Sequence, residues 1–191
     1  MKIGLLGGSF NPPHAGHVNL CVQAKKCLGL DAIWWLVSPA NPFKDARTLA
    51  PFELRYQLAC ALPKPPYIQV TDYEQRGQLL YTIDSIKSLQ HDFHGIKFVW
   101  LMGADNLPNF HLWNGAQEIM ARVPVSVMDR SPNSHNALRS KTAIKYGRNK
   151  VDGRLLMQAT PPCWSYVFMR RNNQSATELR KKLGSQAFLT T

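Results

Sequence analysis

The sequence predicts a parallel, doubly wound α/β sheet, Rossmann-like and organised as a single domain over 1–191. Three observations lead there. Short apolar runs alternate with stretches of helical periodicity for nearly the full length. Those runs are continuous rather than alternating, as in strands buried on both faces. The chain has 191 residues, which suits one domain whose core needs no disulfide or metal staple.

The elements follow in order. Residues 3–6 are an apolar run ending in Gly7-Gly8, hence a buried strand and a turn. Positions 14–28 repeat apolar residues at helical spacing (Val18, Cys21, Val22, Leu28), and Gly29 supplies a stop. Residues 32–37 (AIWWLV) read as a second buried strand, closed by Ser38-Pro39. Pro51 suits the first position of a helix carrying Phe52, Leu54, Leu58 and Leu62. Residues 67–70 make a third strand, and Thr82 can cap a helix with Ile83, Ile86 and Leu89 on one side. A fourth strand spans 96–102 and ends at Gly103. A short helix near 113–120 precedes a fifth strand at 123–128. Residues 131–154 are polar, basic and weakly periodic, an excursion with room for one short helix. A strand at 166–169 and a helix from Ser175 close the chain. Ligands in such sheets bind beyond the carboxyl ends of the strands. The segments to inspect are therefore 7–17, 38–47, 103–113, 129–135 and 170–180.

Composition removes several classes. Apolar residues are 45% and charged residues 18%, which excludes disorder. No apolar run approaches the roughly 18 residues of a membrane helix, and the first residues carry too little for a signal peptide. Cys21, Cys27, Cys60 and Cys163 lack CxxC spacing and read as reduced, mostly core thiols of a cytoplasmic protein, with no protein-held metal. The net charge is +11, unevenly placed. Residues 1–128 hold 11 Lys/Arg against 9 Asp/Glu, whereas 129–191 hold 12 against 3. Such a surface can receive nucleotide phosphates or nucleic acid, be a solvated face, or serve a homo-oligomer contact. Between Arg139 and Arg154 the only aromatic is Tyr146, which disfavours nucleic acid, since that binding favours stacking platforms beside the cations.

The stretch Gly7-Gly8-Ser9-Phe10-Asn11-Pro12-Pro13-His14-Ala15-Gly16-His17 carries the chemistry. Gly7 and Gly8 let the backbone turn sharply and approach a ligand. His14 and His17 are three apart at a helix start, so they share one face beside free N–H groups and the positive end of the dipole. Two imidazoles beside an anion site suit charge developing on a transferring phosphate. The spacing is neither a Walker motif nor GxGxxG.

This stretch resembles the GG(S/T)F(D/N)PxHxGH signature of the nucleotidylyltransferase superfamily, and most of all its bacterial nicotinate-nucleotide adenylyltransferases. The resemblance implies that Gly7, Gly8, Ser9, Phe10, His14 and His17 meet ATP, with the histidines stabilising the transition state and no covalent intermediate. Gln174–Arg180 resembles the family's ISxTxxR motif, with Gln174 replacing Ile; it implies that Ser175, Thr177 and Arg180 hold phosphates. Independently, Ser175 and Glu178 have capping-box spacing. Met102-Gly103-Ala104-Asp105-Asn106-Leu107, then Phe110, His111 and Trp113, resembles the family's GADN-L…F…W segment. There Gly103 and Asp105 belong to the nucleotide site and Trp113 stacks on the pyridine ring; taken by itself Trp113 is more readily a core aromatic, and Asp105 a turn or cap. Tyr81-Thr82-Ile83-Asp84 resembles YT-x-D, which places Thr82 beside the nicotinate. Asn41-Pro42-Phe43-Lys44 resembles NP-x-K, which assigns Asn41 and Lys44 to the acceptor side, although Lys44 alone is equally a solvated loop cation. Arg130 matches the family's arginine after strand five, although Ser131-Pro132 departs from the usual Pro-Gly.

The resemblance implies adenylyl transfer from ATP to nicotinate mononucleotide, with Mg²⁺ carried by the nucleotide. The alternative is an adenylyl- or cytidylyltransferase acting on nicotinamide mononucleotide, phosphopantetheine or another phosphorylated acceptor. From a different class, the basic last third leaves a nucleic-acid-binding protein on a nucleotide fold as a rival, to be separated by the salt dependence of binding.

Overall fold

A computed structural model describes residues 1–40, 48–129 and 134–169, the side chains of 134–136 excepted. Six parallel strands form one sheet: β1 (Lys2–Gly8), β2 (Ala32–Val37), β3 (Ile68–Thr71), β4 (Lys97–Gly103), β5 (Val125–Asp129) and β6 (Trp164–Phe168). Their order is β3-β2-β1-β4-β5-β6, so the winding reverses between β1 and β4. Each apolar run becomes a strand, with shifts of at most two residues at the ends.

Both faces of the sheet are covered, as a parallel sheet requires. Alternate residues divide between two cores. Ile3, Leu5, Phe98, Trp100, Met102, Val125 and Val127 point one way, against α4 (Thr82–Asp92), α5 (Ala116–Arg122) and the 3₁₀ helix Ala104–Leu112. Leu6, Ile33, Trp35, Val37, Val99 and Leu101 point the other way, against α1 (Ala15–Leu28) and α2 (Phe52–Ala61). Gly29 ends α1 at φ 63, and its N–H donates to the Lys25 carbonyl, the left-handed stop read from sequence.

Several elements differ from the sequence expectation. Pro51 is the N-cap of α2 rather than its first residue, and the fully buried positions are Arg55 and Ala59, with Leu54 and Leu58 half-buried. Thr82 is the first residue of α4, and no side chain caps that helix; the Tyr81 carbonyl closes the turn by accepting from Asp84 and Ser85. A four-residue helix α3 (Tyr73–Arg76) follows β3, too short to show a period. The excursion holds α6 (Lys141–Lys145) and the 3₁₀ turns Ser134–Arg139, Gly147–Asn149 and Gly153–Gln158 rather than one helix. It belongs to the core: Ala143, Leu156 and Met157 are buried, and the Trp164 indole N–H donates to the Tyr146 carbonyl at 2.7 Å. The helix expected from Ser175 lies outside the described residues.

Glu74, on α3, is 4% exposed. It accepts the Ser85 hydroxyl of α4 at 2.7 Å and bonds the Ser38 side chain beyond β2. Burial pushes its carboxyl up to about 7, against a partial downward pull from the two hydroxyls. Folding therefore favours the protonated form. The stability contributed is complete below the ordinary carboxylate value and is lost as pH rises to about 7. Glu74→Gln should remove this loss, so the stability difference between variant and wild type should widen between about pH 5 and 7 and then level off. Parallel pH–stability curves from denaturant unfolding would refute the assignment.

Candidate active site

The crevice beyond β1 and β4 lies where the strand order reverses. At its floor, a Cβ on Gly7 would stand 2.4 Å from Trp100 Cη2 of β4, so the indole leaves room only for glycine. The Gly8 carbonyl accepts the Ser38 N–H at 3.0 Å, which ties the ends of β1 and β2 together. Phe10 follows at φ 46, a left-handed conformation that a bulky residue holds only under constraint. Its ring stacks on Trp35 at 4.8 Å and lies 4.9 Å from the His17 ring. Trp35 is anchored in turn by its indole N–H, which donates to Cys21 Sγ at 3.0 Å. Burial pushes the Cys21 thiol up to about 12, so it remains a neutral packing group.

Both sequence-predicted histidines lie at the start of α1, and they cap it. His14 is the N-cap, with extended backbone (φ −158, ψ 166), and its Nδ1 accepts the Gly16 N–H at 3.1 Å. His17 reaches back, its Nδ1 accepting the His14 N–H at 3.2 Å. The pair forms a reciprocal capping box built from imidazoles instead of the usual Ser and Glu. Ring centroids are 4.0 Å apart. Because each Nδ1 is an acceptor, a neutral ring carries its proton on Nε2. Both Nε2–H groups are thus donors held beside the positive end of the α1 dipole, where an anion is stabilised.

The structure brings the other described candidates to the same sheet edge. Ser9 is 4% exposed behind the loop. Gly103 ends β4 beside β1, and exposed Asp105 opens the 3₁₀ helix after it. Trp113 follows that helix, half-buried, edge-on to Trp100 at 6.3 Å and 5.3 Å from Phe110. It precedes α5 rather than starting it. The turn after it packs on the start of α4: a Cβ at Gly115 (φ +66) would lie 2.9 Å from Ile83. Ile83, next to Thr82, and Trp113 therefore belong to the same core cluster on one face of the sheet. Asn41, Lys44, Arg130, Ser175, Thr177 and Arg180 lie outside the described residues.

Sequence reading passed over Asn11 and Arg55. Asn11 Nδ2 donates to the Thr48 carbonyl at 2.8 Å, and its Oδ1 accepts the Ala50 N–H at 3.1 Å. Arg55 is fully buried, and its guanidinium donates to the carbonyls of Ala50 (2.8 Å), Ser9 (2.7 Å), Ser38 (2.8 Å) and Pro39 (3.1 Å). Desolvation pulls its pKa below the ordinary arginine value. The available signal was a charge on the buried stripe: positions 52, 55, 59 and 62 share a helical face, and the second of them is arginine.

Comparison with known proteins fits this geometry. A family model described as cytidylyltransferase-like matches residues 5–182. A Cereibacter sphaeroides protein named "Probable nicotinate-nucleotide adenylyltransferase" is 43% identical over 180 residues, covering 94% of this chain and 97% of its own. A Brucella abortus protein of the same name is 39% identical over 184 residues, 95% of each chain. Among solved structures, Plasmodium falciparum nicotinic acid mononucleotide adenylyltransferase complexed with NaAD shares the fold, with a TM-score of 0.71 at 16% identity over 95% of this chain and 83% of that one. With a histidine-capped loop after β1 and similarity along nearly its whole length, the chain belongs to the cytidylyltransferase-like family and, within it, to the nicotinate-nucleotide adenylyltransferases.

Proposed function

We propose that the protein transfers the adenylyl group of ATP to nicotinate mononucleotide in the cytoplasm, giving nicotinate adenine dinucleotide and pyrophosphate. The observation that carries this reading is the imidazole capping box beyond the carboxyl end of β1, with both Nδ1 atoms accepting backbone N–H groups and the two rings 4.0 Å apart. A phosphate oxygen of the acceptor attacks the α-phosphorus of ATP in line. The bond from that phosphorus to the bridging oxygen of the β-phosphate breaks, and the electron pair leaves with pyrophosphate. Such a transfer needs positioning and charge stabilisation more than covalent chemistry. His14 and His17 donate to the phosphate oxygens as negative charge shifts toward the leaving group. Gly7 and Gly8 let the triphosphate approach the backbone, with Ser9 and Phe10 shaping the loop beneath.

Gly103 and Asp105 complete the nucleotide side at the end of β4, and Ser175, Thr177 and Arg180 grip the phosphates. On the acceptor side, Trp113 stacks on the pyridine ring while Thr82, Asn41, Lys44 and Arg130 face the mononucleotide. Mg²⁺ enters as part of the substrate, on the triphosphate. The groups clustered at the loop are N–H donors suited to phosphate oxygens, and Mg²⁺ keeps much of its own hydration on the nucleotide. The complex of the Plasmodium relative with NaAD supports the product assignment. Among the described residues no helix is long and apolar enough to cross a membrane.

Three measurements test this. With MgATP, pyrophosphate release should be fastest with nicotinate mononucleotide on a panel that includes nicotinamide mononucleotide and phosphopantetheine; a faster rate with either of these replaces the acceptor. His17→Ala should lower kcat by about 10²–10³ while the variant stays folded. A wild-type rate in that variant removes the histidine from the chemistry. Trp113→Ala should raise KM for the pyridine substrate more than for ATP, by the roughly 0.5–1.5 kcal/mol that ring stacking contributes. Equal rises for both substrates would contradict the stacking assignment.

A further inference from the structure

We propose that Arg55 is a positioning residue for the transfer: it holds the loop between β1 and α1 in the shape that presents His14 and His17 to the phosphates. The proposal rests on the adenylyl-transfer reading above, but it is carried by a different observation. Arg55 comes from α2, outside the loop it organises. Its forked guanidinium binds three separate stretches of backbone at once: Ser9 beyond β1, Ser38 and Pro39 beyond β2, and Ala50 before α2. Asn11, inside the loop, grips Ala50 from the other side, so the Ala50 N–H and C=O are held by the two residues in turn. Ser38 in turn donates its N–H to Gly8. Arg55 thus fixes both sides of the backbone that carries Gly8 and Ser9.

The choice of residue argues against a purely structural wedge. The four acceptors named are neutral carbonyls, which solvate the guanidinium without neutralising it. A buried charge carries a desolvation penalty, and an apolar side chain of similar volume commonly holds a helix as well or better. What an apolar side chain cannot do is bind three loop ends in fixed directions. A planar fork with five N–H donors can, and a lysine ammonium cannot match that geometry. A displacement of about 1 Å at the reacting groups costs on the order of 100-fold in rate.

The test compares Arg55→Lys, which keeps the charge but not the fork, and Arg55→Ala, with rates normalised to folded protein. Arg55→Lys should lower kcat by about tenfold to a hundredfold, with KM for ATP little changed. Guanidinium ion at millimolar concentration should restore turnover to Arg55→Ala in a saturable way, and urea at the same concentration should not. A second readout needs no turnover. The ¹⁵N spectrum of the wild-type imidazoles should show the Nε2–H form for both His14 and His17, and Arg55→Lys should lose that bias. Wild-type kcat per folded molecule in Arg55→Lys, or an unchanged imidazole spectrum, overturns the proposal. The wild-type rate with nicotinate mononucleotide reads the proposed function separately, so failure of either leaves the other decided.

Discussion

A helix that begins at a ligand site has a conflict to resolve. Its first N–H groups need acceptors, yet the same N–H groups and the dipole behind them are what attract an anion. In this protein the start of α1 resolves the conflict with histidine. The Nδ1 atoms of His14 and His17 cap the helix, and that act sets the tautomer and the direction of Nε2. Serine and glutamate would have capped the helix without carrying a ring N–H donor beyond it. The spacing of three residues, the extended backbone at His14 and the 4.0 Å separation of the rings all follow from one capping geometry. In the proposed reaction, capping and phosphate recognition are therefore opposite ends of the same two side chains.

Around that geometry the structure builds support in layers. Phe10 and Trp35 pack beside His17, and the Trp35 indole is tied to a thiol kept neutral by burial. Two buried ionisable residues then meet at Ser38. Arg55 donates to its carbonyl, and Glu74 bonds its hydroxyl while accepting from Ser85 of α4. Ser38 thereby links the β1 loop, α2, α3 and α4. Thr82, at the start of α4, is joined by this route to the loop that carries the histidines.

The legibility of the sequence followed the range of the forces involved. Strands 32–37 and 96–102 were readable because burial on both faces demands continuous apolar runs, and Gly29 because a left-handed helix stop favours glycine. The histidine pair was readable from a spacing of three. Thr82 misled because a good capping residue is also an ordinary first residue, and here the Tyr81 carbonyl closes the turn. The turns of the excursion were hidden because elements of three to six residues show no period. Their burial comes from partners far along the chain, as where the Trp164 indole meets the Tyr146 carbonyl.

By itself, then, the chain determined its strand content, the winding of its sheet and the pairing of two imidazoles at a helix start. Each of these depends on residues within a few positions of one another, where backbone geometry alone relates side chains. Tertiary structure decided what Arg55 and Glu74 do, why Gly7 faces Trp100, and how the turn after Trp113 comes to pack on the start of α4. A charge on a buried helical stripe announces that it must be satisfied, but its partners belong to loops brought near only by the pairing of β1 with β2. Solvation of a buried group is a property of the assembled volume, and no local stretch of sequence contains it.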